Sequence, residues 1–127
     1  MSANQQIVAL CDEIGRERLE AVVRQFHERV LEDPVLGHHF RAIDDMETHI
    51  HRFTEFWWIG MGGISDDPPD IDMIGKHHHL RPTRSEMNRW LGLFSETLHD
   101  LLPADLATQW IAMAESISRR LRGVITE

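Results

Sequence analysis

The sequence predicts an all-α fold. Three observations carry that prediction: apolar residues recur at helical spacing in four long segments, no segment alternates as a strand, and the breaks between segments fall at clusters of Pro, Gly and Asp. The 127 residues fit a single domain spanning residues 1–127. Residues 1–15 read as an N-terminal extension or first helix. Leu19, Val22, Val23, Phe26 and Val30 then form one apolar stripe with His27 at its edge. Asp33-Pro34 ends that helix, because proline pushes the preceding residue out of the helical region.

A less regular connector, Val35 to Phe40, leads to Asp44-Asp45, whose acidic side chains suit a helix start. The next helix carries Met46, His49, Ile50, Phe53, Trp57 and Met61 on one face and should dissolve at Gly60 to Gly63. Ser65 to Asp70 is too rich in Pro and Asp for anything but a loop, and we expect it to be the flexible break in the chain. Ile71 to Lys76 then delivers His77-His78-His79-Leu80, closed by Pro82. Thr83-x-x-Glu86 spells a capping box, followed by a stripe of Met87, Trp90, Phe94, Leu98 and Leu101 up to Pro103. The last helix shows Leu106, Trp110, Met113, Ile117, Leu121 and Val124 on one face.

The net charge is -8, from 13 Lys plus Arg against 21 Asp plus Glu. With no basic run longer than Arg119-Arg120, neither nucleic acid nor an anionic membrane is an expected partner. The longest apolar window, Phe56 to Ile64, is about half of the roughly 20 residues a membrane span requires, and no signal pattern opens the sequence. A cytoplasmic location is therefore expected. Cys11 is the single cysteine, which excludes an internal disulfide and CxxC chemistry. Nine histidines and no tyrosine are the unusual counts.

His27, His49 and His77 sit on three different segments, each beside large apolar residues, as expected where helices enclose a cofactor. A di-iron site is weighed on His51 and Glu55, which have i, i+4 spacing. Both fall opposite the apolar face, so the expectation there is a wet surface pair. Structural zinc lacks cysteine ligands, although His77-His78-His79 would take up nickel or zinc adventitiously. Haem asks for one axial imidazole, a flat apolar slot and few polar groups over the open face, all within reach of this chain. The residues alone leave open a haem-free helical domain that acts as a non-haem metal binder or interaction module.

The chain resembles the truncated haemoglobins, and within them the third, bacterial group. The resemblance is carried by Phe26-x-Glu28-Arg29-Val30, Asp33-Pro34-x-Leu36-Gly37-x-x-Phe40, and His49 followed by Phe56-Trp57. It continues in His77-x-x-Leu80, Arg89-Trp90-Leu91-x-Leu93-Phe94 and Thr97-Leu98, and spans roughly residues 18 to 125. It implies a globin-like two-over-two helical sandwich enclosing haem b, with iron held by His77. Phe40 matches the family's porphyrin-packing Phe, His49 the distal-helix His, and Trp90 the indole that faces ligand. Ile50, Phe53, Leu80, Phe94, Met113 and Ile117 are the expected slot walls. Lys76 and Arg81 are candidates to pair with the propionates.

In place of the family's usual Tyr after Phe26 this chain has His27, and Met46 stands where Trp is common. The distal side would then hold His27, His49 and Trp90 as donors to the bound ligand. Imidazole serves as donor, acceptor or iron ligand according to its protonation, so ligand binding is expected to vary between about pH 5 and 8. The resemblance implies reversible binding of O2, CO and NO. A polar distal pocket suits ligand stabilisation or redox chemistry, such as nitric oxide dioxygenation or peroxidase-like turnover supplied by a reductase, more than bulk transport. It does not mark a dedicated enzyme.

Overall fold

The computed structural model describes residues 8–69 and 83–121. Within them lie α1 (Leu10–Ile14), α2 (Arg16–Glu32), α3 (Gly37–Arg41), α4 (Met46–Gly60), α5 (Arg84–Leu101) and α6 (Ala104–Leu121), with no strand among the described residues. The helix ends follow local chemistry. Gly15 joins α1 to α2 at φ 86°, a backbone angle that a side chain disfavours. The Asp45 carboxylate accepts the Thr48 N–H at 3.1 Å and caps α4. At α5 the expected capping box is complete, with Glu86 N–H donating to Thr83 Oγ1 at 3.0 Å and Thr83 N–H to Glu86 Oε1 at 2.9 Å.

Asp33 does more than stop α2. Its buried carboxylate accepts the N–H groups of Val35 at 3.0 Å and Leu36 at 2.9 Å, turning the connector into the short helix α3. Arg89 of α5 donates to it through Nε at 2.9 Å. That guanidinium, helped by the two backbone donors against the cost of burial, holds the Asp33 carboxyl below its usual range. A Cβ on Gly37 would lie 2.8 Å from the Leu31 carbonyl oxygen, so only glycine lets α3 start this close to the end of α2.

Helix α2 lies against α3, α4 and α5, while the short Leu102-Pro103 connection returns α6 along α5. The α2–α4 pair over the α5–α6 pair is the two-over-two arrangement. Between the pairs sits an aromatic core. Phe94 stacks on Trp57 (centroids 5.6 Å) and Trp90 (5.2 Å), and meets Phe26 (4.8 Å) and Trp110 (5.5 Å) edge-on.

Two elements differ from the sequence reading. Glu55, expected on the wet face, is only 5% exposed: Arg16 pairs with one carboxylate oxygen and the Ser65 hydroxyl donates to the other. Burial pushes its carboxyl up, but those two bonds, with the charges of Arg16 and His51, outweigh it and leave the pKa low. The helix face is indeed opposite the core stripe, but the start of α2 and the loop after α4 cover it. His51 stays exposed and meets Asp67 at 3.2 Å instead of Glu55. The described part of the 65–70 loop is thereby attached to α4 at two points. On α6 the buried face is Leu106, Ala107, Trp110, Ala114 and Ser118, with Met113 and Ile117 half-buried at its side.

Candidate functional site

A second aromatic cluster opens off this core, where α2, α3 and α4 meet. His27, on α2 beside the buried Phe26, is its centre. Its ring meets His49 at 4.9 Å, Phe53 at 5.0 Å and Phe40 at 5.9 Å between centroids, all edge-on. His49 also lies 6.1 Å from Phe40 and 6.0 Å from Phe53. Trp90 joins from α5 through Phe26 at 5.2 Å and Phe53 at 6.4 Å. The structure thus brings together His27, His49, Phe40 and Phe53, with Trp90 at the border of the core and Phe94 inside it.

The chemistry of His27 follows from its surroundings. The residue is 1% exposed, and Nδ1 lies 2.8 Å from the Val23 carbonyl oxygen one helical turn back. A carbonyl only accepts, so Nδ1 carries the proton. In the neutral ring Nε2 is then a bare lone pair, buried and without a partner among the described residues. Desolvation holds the pKa of His27 below 6.5, against the small opposing effect of the Val23 bond, so the ring is neutral at pH 7. His49 is the titratable ring that faces it; the other rings in contact are Phe26, Phe40 and Phe53.

Stability should register this burial. The unfolded chain takes up a proton on His27 near pH 6.5 and the folded chain only at lower pH, so folding is favoured fully above that value. Stability is lost as pH falls below 6.5, by up to about 1.4 kcal/mol per pH unit, until the folded ring protonates. Urea midpoints of the native chain and of His27→Leu between pH 7.5 and 5 check this. The native chain should lose stability more steeply, and parallel slopes would contradict it.

The remaining candidates fall into three groups. Ile50 is buried on α4, one residue after His49, and Phe94 is wholly buried in the core rather than lining an open face. Met113 approaches the far end of α4: a Cβ on Gly60 would lie 3.6 Å from its Cε, and Gly60 is ~16 Å along the helix from His49. Ile117 is half-buried farther along α6. His77, Leu80, Lys76 and Arg81 lie outside the described residues. Sequence reasoning passed over His38, His39 and Glu86, which converge beside Phe40. An adjacent His pair next to a porphyrin-type Phe was the visible signal, but Glu86 had been fully accounted for as a cap.

The cluster suits haem. It offers an apolar aromatic wall, a buried nitrogen lone pair with no partner among the described residues, and a further imidazole and indole on neighbouring helices. Among the described residues no helix is long and apolar enough to cross a membrane.

Comparison with known proteins agrees with this geometry. The family model described as "Bacterial-like globin" matches residues 9–122. No curated protein matches the chain in sequence. Among solved structures, the group III truncated haemoglobin from Campylobacter jejuni superposes with a TM-score of 0.79 at 23% identity, covering 90% of this chain and 93% of that one. The group II truncated haemoglobin from Bacillus anthracis gives 0.82 at 16% identity, covering 96% of each chain. A thermostable haemoglobin from Thermobifida fusca gives 0.77 at 24% identity, covering 90% and 96%. The haem-free reading falls with this match, since the bacterial-like globins are haem proteins. The chain belongs to the bacterial-like globin family, with the truncated two-over-two fold and haem as its cofactor.

Proposed function

We propose that this chain binds O2, CO and NO reversibly, with His77 as the iron ligand and His27, His49 and Trp90 facing the diatomic ligand. Haem, when bound, supplies an iron centre with an open coordination position. The chain's residues decide what that position meets. Phe40 and Phe53 wall the cluster and exclude water, Ile50 and Leu80 extend that wall, and Phe94 backs it from the core. Lys76 and Arg81 pair with the propionates.

The observation that carries the reading is the orphaned Nε2 of His27, a lone pair in a dry aromatic cluster. It accepts hydrogen bonds, or binds iron as a sixth ligand, but in the neutral ring it donates none. Donation to a ligand then falls to the Trp90 indole and to His49. A pocket with both donor and acceptor serves redox chemistry on small ligands better than bulk transport. Membership of the third group is supported by the order of the motifs from Phe26 to Leu98 and by the Campylobacter jejuni likeness.

Stopped-flow measurement on the ferrous, haem-loaded protein tests this. We expect CO and O2 to bind, and Trp90→Leu to speed O2 release about tenfold, the worth of one hydrogen bond of about 1.4 kcal/mol. His27→Leu should leave O2 release no faster than in the native chain. A tenfold acceleration in His27→Leu would show that this ring donates, and failure of the haem-loaded chain to take up CO would overturn the function.

A further inference from the structure

The convergence of His38, His39 and Glu86 makes a second, separate site. His39 Nε2 lies 2.8 Å from Glu86 Oε2, and His38 Nε2 lies 3.9 Å from the same oxygen. One ligand atom from each residue falls within 4.8 Å of the other two. Neighbouring residues on a helix ordinarily diverge by about 100°, yet these two imidazoles stand 4.0 Å apart, tilted by 38°, and reach the same carboxylate. The carboxylate itself is fixed. Oε1 is held by the Thr83 N–H in the capping box, which leaves Oε2 turned towards the imidazoles. Glu86 and His39 are half-buried, with side chains 16% and 19% exposed, while His38 is 59% exposed and able to swing inwards.

We infer that these three residues bind a divalent transition metal of the zinc, nickel or copper class. Two imidazoles and one carboxylate, with no thiolate, favour those ions over Ca2+ and Mg2+, which take all-oxygen shells. Zinc–nitrogen bonds run about 2.0–2.1 Å, so the metal takes the place of the proton shared by His39 and Glu86. His38 closes the third side by a small side-chain rotation. In the neutral ring that proton moves to Nδ1, which frees the Nε2 lone pair for the metal, and a water completes the coordination. The ion then joins α3, which carries Phe40, to the first turn of α5, without touching the haem cluster. The site does not rest on the proposed ligand chemistry at haem.

Calorimetric titration of the haem-loaded protein with Zn2+ tests it. Because the run His77-His78-His79 could also take up zinc, a His78→Asn/His79→Asn variant is titrated alongside. We expect a zinc equivalent that is retained in that variant and weakened at least tenfold in His38→Ala and in Glu86→Gln. Gln keeps the capping box while removing the charge, and His38 is exposed enough that its removal leaves the fold intact. Zn2+ should also raise the melting temperature of the native chain and not that of Glu86→Gln, and Mg2+ should raise neither. Unchanged zinc binding in His38→Ala and Glu86→Gln, or its loss in the His78/His79 variant, would overturn the assignment.

Discussion

Replacing His77 with Gly should strip the protein of tightly held haem, and free imidazole should restore it. Of the nine histidines, His27 and His49 face one another across the aromatic cluster, His39 is bonded to Glu86 with His38 beside it, His51 meets Asp67, and His99 is exposed on α5. We propose His77, in the run at 77–79, as the iron ligand because the resemblance to the truncated haemoglobins implies a ligand three residues before Leu80. That segment connects the loop after α4 to the start of α5, so it leads directly into the helix that carries Trp90. Removing a hydrogen-bond partner of a metal ligand commonly costs 10–100-fold in affinity, and losing the ligand itself should cost more than about 100-fold. Haem transfer to an acceptor globin measures this, with His78→Gly and His79→Gly retaining haem. Retention in His77→Gly with loss in either neighbour would move the ligand by one or two residues.

The largest loss of stability should come from Phe94→Ala. This ring is fully buried and touches Phe26, Trp57, Trp90 and Trp110, which belong to four different helices, counting its own. Truncating a buried Phe costs about 3–5 kcal/mol, the spread reflecting how far the surroundings relax into the cavity. Four large rings meeting at one point have little freedom to collapse, so the upper half of that range is expected. Against a total stability of about 5–15 kcal/mol, such a loss removes roughly a third or more of the margin. Urea unfolding of the haem-free and haem-loaded protein measures it. A loss below about 1 kcal/mol in the haem-free chain, growing sharply with haem, would instead mark Phe94 as a wall of the cofactor slot.

Helix limits were legible in the sequence wherever one residue's chemistry sets them. Asp33 before Pro34, Asp45 as a cap and the Thr83–Glu86 box all act within a few residues of themselves. Glu55 was not legible in this way, because its burial depends on Arg16 and Ser65 arriving from outside its own helix. On α6, reading by apolar size gave weight to Met113 and Ile117. The helix instead buries Ala107, Ala114 and Ser118 around Trp110, because small side chains let two helices approach closely. The aromatic and imidazole members of the site were visible by type and spacing. Which nitrogen of His27 faces the pocket was not, since that depends on the rotamer by which the ring reaches the Val23 carbonyl.

That bond to Val23 has a consequence for how the pocket can vary. The acceptor is a main-chain oxygen one turn earlier on the same helix, so every amino acid at position 23 supplies it equally well. The polarity presented by His27 is thus inherited from helical geometry and is indifferent to side-chain drift at position 23. Substitutions among Phe40, His49 and Phe53 can reshape the chamber without reversing that polarity. To change it, a lineage must give up the imidazole or break the turn of α2 beneath it.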